Sequence, residues 1–102
     1  INISMTTRPV QRVGDINSGG GVGILGHLNI TVNGRPMLKF MSPVTPHPCC
    51  GLPGCDIHCS AQAALPGSTS VTANGVPVLR DFDVDTCFHP RILGSFDVVC
   101  GG

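Results

Sequence analysis

Apolar and polar residues alternate at period two through three short stretches of the chain. Ile30 and Val32 alternate with Asn29, Thr31 and Asn33; Val71 and Ala73 stand in the same phase, and Val98 and Cys100 repeat it. That period puts one apolar face on a β-strand. The first two stretches run into Asn33-Gly34 and Asn74-Gly75, the pair that supplies the positive φ values of a two-residue type I′ turn. Pro36 and Pro77 follow, at a strand start or edge, where a missing N–H costs least. The pattern predicts β-hairpins, and the spacing of Gly and Pro disfavours long helices.

The hairpins are copies of one unit. GHLNITVNGRPMLKFMSPVT from Gly26 overlays GSTSVTANGVPVLRDFDVDT from Gly67 without a gap, at an offset of 41 residues. GSFDVVCGG from Gly94 matches the front half of a third copy, and RPVQRVGDINS from Arg8 matches its rear half, with Pro9 in the place of Pro36 and Pro77. One copy is thus split between the ends of the sequence. Short hairpins cannot each bury an apolar face alone, so the economical arrangement sets the three around a pseudo-threefold axis with those faces inward. The expected fold is all-β with little or no helix, a single domain over 8–102. Residues 1–7 stand before it as a native arm or a vector-derived remnant. Connecting loops at 18–25, 45–66 and 86–93 fall at one end of such an object.

Composition narrows the partners. Only 12% of the residues are charged, six basic against six acidic, which leaves no electrostatic footprint for nucleic acid or anionic lipid. Positive mean hydropathy in so small a chain implies exposed apolar surface that a protein partner would cover. No apolar run approaches a membrane span, and the start lacks the basic and apolar regions of a signal peptide, so neither Sec export nor insertion is expected.

The chemistry concentrates in two loops. The second carries His47, Cys49, Cys50, Cys55, His58 and Cys59; the third carries Cys87 and His89. Interleaved His and Cys without an export signal favour a metal over a disulfide framework. A closed tetrahedral site takes four nitrogen and sulfur ligands. The third loop offers only Cys87 and His89, and with His47 and His58 they make three imidazoles and one thiolate. Two alternatives stay open: a site of Cys49, Cys50, Cys55 and Cys59 within one loop, or disulfides among them. The metal reading expects mostly reduced thiols, and the alternative, a disulfide-stapled secreted module that binds a protein, expects six oxidised ones.

Other candidates read as structural. Cys100 is a small buried hydrophobe, and His27 a surface residue without a chemical role. Asp15 and Asp83 share a repeat position with Ser42, and turn capping explains them. Gly19, Gly20 and Gly21 lack the Lys and helix of a phosphate loop and form a tight turn. A zinc hydrolase would need an open coordination position and a general base, whereas the chain has no His-Glu-x-x-His and no Glu.

From Arg8 onward the chain resembles the PAAR-repeat proteins. RPVQRVGDINSGGG looks like that family's opening, VNGRP and ANGVP like its strand-turn signature, and SPVTPHPCCGLPGC with DVDTCFHP like its metal loops. The chain departs from the family in its degraded motif, PVQR, PMLK and PVLR. It also has Gly where many members carry a His in the first loop, which makes His47 and His58 jointly necessary. The resemblance implies a sharp cone whose point is held by one structural zinc on three His and one Cys. It also implies a triangular apolar base, for which Ile30, Val32, Val71 and Val98 are the expected contacts. Such a base caps a trimeric β-helical spike at a phage tail tip or, alternatively, on a type VI secretion spike made in the bacterial cytoplasm. The implied role is structural and membrane-piercing, not enzymatic.

Overall fold

The computed structural model describes residues 7–48, 50–65 and 67–101. The arm expected over 1–7 therefore lies outside the described residues except at Thr7, as does Cys49. The chain is nearly all β, in short strands: β1 (Arg8–Pro9), β2 (Ile16–Asn17), β3 (Gly26–Val32), β4 (Arg35–Leu38), β5 (Ser42–Pro43), β6 (Gln62–Leu65), β7 (Thr72–Ala73), β8 (Val76–Pro77), β9 (Val84–Asp85), β10 (Arg91–Ile92) and β11 (Val99–Cys100). The one helical element among the described residues is a 3-10 turn, Asp56–His58.

The Asn-Gly pairs form the hairpins for the reason the sequence suggests. Asn33 and Gly34 take φ of 54° and 80°, and Asn74 and Gly75 take 52° and 84°, the double left-handed signature of a type I′ turn. β3 pairs with β4 through Val32 and Arg35, and β7 with β8 through Ala73 and Val76. The split copy assembles in the same register: β1 pairs with β11, Arg8 opposite Cys100 and Pro9 opposite Val99.

Each hairpin leads into one recurrent turn. The N–H groups of Asp15, Ser42 and Asp83 donate to the carbonyls of Arg12, Lys39 and Arg80 at 3.0, 2.9 and 3.1 Å. Its third residue is left-handed in every case, at Gly14, Met41 and Phe82, as a type II turn requires. Asp15 Oδ2 also accepts from the Arg12 N–H, and Asp83 Oδ2 from the Arg80 N–H, each at 2.8 Å. Both carboxylates are therefore turn caps, as expected, and in addition they are buried ion-pair partners of Arg12 and Arg80.

Two sets of bonds link the copies. At the hairpin end, Ser95 Oγ donates to Asn33 Oδ1, Asn74 Nδ2 meets His27 Nδ1 at 3.0 Å, and Ser68 Oγ donates to the Gly101 carbonyl at 2.8 Å. Positions 27, 68 and 95 are repeat equivalents, as are 33, 74 and 101. At the loop end, the N–H groups of Ser18, Thr45 and Thr86 donate to the carbonyls of Pro90, Val22 and Gln62, each at 2.9 Å. Each set passes once through all three copies. His27 is accordingly buried at 4% exposure and not a surface residue, because the next hairpin covers it.

The core has two parts. Val10, Val32, Ala73, Val78 and Cys100 form one between the hairpins, with Ile30 and Met37 against it. Leu38, Val44, Ala61, Ala63, Leu79 and Cys87 form the other beneath the loops. Cys100 is thus the buried small hydrophobe expected of it. Val32 belongs to this core and not to an outward-facing base, since the strand position nearest the turn is enclosed by the neighbouring copies. Ile30 is half-buried against the same core, while Val71 and Val98 are exposed, at 41% and 37%. Leu28 in β3, Val99 in β11 and Phe96 ahead of β11 add further exposed apolar surface.

Candidate metal centre

His47, His58, Cys87 and His89 converge, each offering one ligand atom within 4.8 Å of all the others. Their approach follows from the loops. The 3-10 turn Asp56–His58 presents His58, and the His47 N–H donates to the His58 carbonyl, closing the second loop on itself. Phe88 takes a left-handed φ of 70° between Cys87 and His89, which reverses the chain so that both side chains reach one point. Cys87 Sγ also belongs to the core beneath, at 2% exposure.

His47 Nε2 is the hub of the cluster, with a ligand atom of each of the other three within 3.5 Å. His47 Nε2 lies 3.1 Å from His58 Nδ1, 3.3 Å from His89 Nδ1 and 3.5 Å from Cys87 Sγ, and Cys87 Sγ lies 3.7 Å from His89 Nδ1. His47 Nδ1 is 2.8 Å from the Thr45 carbonyl. A carbonyl only accepts, so Nδ1 carries the proton and Nε2 points a lone pair into the cluster, the arrangement that orients metal-ligating imidazoles. The facing Nδ1 atoms of His58 and His89 can either donate a proton to that nitrogen or join it in offering lone pairs to a shared cation. Burial, with His58 and His47 beside it, holds the His89 imidazole below its ordinary value and therefore neutral. Burial also pushes the Cys87 thiol up; a bound divalent ion reverses that preference by taking the thiolate as ligand.

The first loop gives no ligand but makes room. A Cβ on Gly19 would lie 2.3 Å from the His89 ring, and one on Gly21 would lie 2.6 Å from His47 Nδ1. Sequence reasoning read these glycines only as a tight turn; the steric reason lies in loops brought together by the fold. Beside the cluster, Asn17 Nδ2 donates to Asp85 Oδ2 at 2.7 Å, and Arg91 Nη1 donates to the same oxygen at 2.8 Å. Burial raises the Asp85 carboxyl against the pull of Arg91.

Of the two alternatives left open for the other cysteines, the structure shows disulfides within the second loop. Cys50 and Cys59 form a disulfide across the loop, with Cα atoms 5.0 Å apart, and Cys55 is disulfide-bonded as well. Cys87 and Cys100 are free. The expectation of mostly reduced thiols is corrected, and so is that of six oxidised ones. Disulfide and ligand cluster coexist because the bridge spans the turn that carries His58 without using a ligand. The one-loop cysteine site is excluded by the same bridge, which consumes two of its four thiolates. No protein-family model and no curated protein matches this chain.

Proposed function

We propose that this protein is the zinc-stapled tip of a trimeric β-helical spike, a structural cap that sharpens the spike for passage through a membrane. The metal cluster carries the reading. A tetrahedral zinc with bonds of about 2.05 Å to nitrogen and 2.3 Å to sulfur sets ligand edges of about 3.3 Å (N to N) and 3.6 Å (N to S). Four of the cluster's six edges are close to these, at 3.1 and 3.3 Å between nitrogens and 3.5 and 3.7 Å to sulfur, and the other two, both at His58, stay within 4.8 Å. His47, His58, Cys87 and His89 fill the coordination sphere, which is the mark of a structural and not a catalytic zinc. Bound there, the ion supplies rigidity to loops too short to hold a core of their own.

Two features support the partner. The three copies are joined by bonds that run through equivalent positions, so one chain can offer three related edges to three identical spike chains. The exposed Leu28, Val71, Phe96, Val98 and Val99 leave apolar surface for that junction. A phage tail or a type VI secretion spike is the setting that suits such a cap.

The test is native mass spectrometry of the chain mixed with a trimeric β-helical spike fragment. One cap, three spike chains and one zinc are expected, with the zinc lost in Cys87→Ala and kept in Cys100→Ala. Zinc retained by Cys87→Ala would sink the ligand assignment. A zinc-loaded chain that never joins the trimer would sink the cap.

A further inference from the structure

The first loop offers no ligand, but Asn17, the last residue of β2 where that loop begins, reaches the metal centre with its buried side chain. Its four hydrogen-bonding positions are all used. Oδ1 accepts from the Gly19 N–H at 2.9 Å and from the Gly21 N–H at 2.8 Å. Nδ2 donates to Asp85 Oδ2 at 2.7 Å and faces Cys87 Sγ at 3.8 Å. Two backbone donors can be met only by the amide oxygen, so the orientation of the amide is fixed and its remaining N–H must point at the sulfur.

The geometry points to Asn17 as a positioning residue of the metal site, whose amide N–H holds the Cys87 sulfur as a thiolate ligand. This rests on the metal reading above and adds to it a donor outside the ligand set. Hydrogen bonds from beyond the ligands commonly fix ligand orientation and tune the bound ion. The carboxylate of Asp85 would work against a neighbouring thiolate, but Arg91 Nη1 donates to the oxygen it shares with Asn17, so the charge beside the sulfur is balanced. The repeat shows that this arrangement belongs to one position only: the equivalents of Asn17 are Val44 and Asp85, of which one packs in the core and the other supplies the amide's second acceptor.

The test uses cobalt(II) and zinc(II) with the full chain and two variants. Asn17→Asp keeps an oxygen for the Gly19 and Gly21 N–H groups but loses the donor to sulfur, whereas Asn17→Leu loses every bond. We expect both to weaken zinc binding by about 10–100-fold and to shift the sulfur-to-cobalt charge-transfer band to lower energy, as a thiolate does when it loses a donor. If Asn17→Asp binds zinc as the parent does with an unmoved band, Asn17 only anchors the loop and the inference falls. If the parent itself binds no metal, the metal reading falls first, and the two failures are thereby separated.

Discussion

His27 is the residue whose surroundings differ most from what its neighbours in sequence suggest. Its equivalents are Ser68 and Ser95, whose hydroxyls accept from the backbone N–H groups of Val71 and Val98, each at 2.9 Å. His27 instead holds Asn74 of the next hairpin through Nδ1 and leaves Nε2 buried without a partner. Burial, with the Lys39 charge adding to it, holds its imidazole below the ordinary 6.5. The unfolded chain then takes up the proton before the folded one does. Stability contributed by the neutral ring is complete above about pH 6.5 and is lost as pH falls toward the lower folded value. His27→Ser should therefore gain on the parent as acid is added, the difference in melting temperature widening from about pH 7.5 to about pH 5.5. Both proteins keep His47, His58 and His89, so the difference isolates His27; a gap that stays constant with pH would show that the ring does not titrate on unfolding. The capping aspartates were readable from turn chemistry, and the convergence of His47, His58, Cys87 and His89 from their place in two neighbouring loops. The burial of His27 was not, because its cover comes from a residue 47 positions away.

At the scale of elements, the second loop joins two constraints that the sequence presents as rivals. His47 and His58 flank the Cys50 to Cys59 bridge, one just outside it and one just inside. A bridge over so short a loop removes about 2.5 kcal/mol of chain entropy from the open form, entropy the loop would otherwise lose when its imidazoles are gathered. The double variant Cys50→Ala with Cys59→Ala, which adds no competing thiol, should bind zinc roughly 10–100-fold more weakly than the parent by calorimetric titration. Equal affinity would mean that the backbone bond from His47 to His58 and the remaining disulfide at Cys55 order the loop without this bridge. Hairpins were legible here because Asn-Gly turns are local. The bridge was not, since six cysteines allow many pairings and spacing alone does not choose among them.

For the whole molecule, the side chains that tie distant segments matter more than any strand, none of which exceeds seven residues among those described. Arg91 donates to Gln11 Oε1 at 3.0 Å, to Asp85 Oδ2 at 2.8 Å and to the Asp15 carbonyl, all with the side chain fully enclosed. Removing one partner of a buried ionic network strands the rest, so Arg91→Ala should cost about 3–5 kcal/mol in urea unfolding. A loss below about 1 kcal/mol would place Arg91 with ordinary surface pairs. None of these partners is visible in the pattern of apolar positions, which reports which face is inside and not which polar group crosses it. The internal repeat, by contrast, announced that the two ends of the sequence belong to one hairpin. That pairing has a kinetic side. Arg8 meets Cys100, 92 residues later, so during synthesis β1 stays an open edge until the last strand emerges, on the order of 10 s at typical elongation rates. No partial product can pair β1, and closure of so long a segment comes before any of its contacts repay it. The local hairpins can pair early, whereas a chain stalled short of β11 presents a bare β1 edge to chaperones or to another copy of itself.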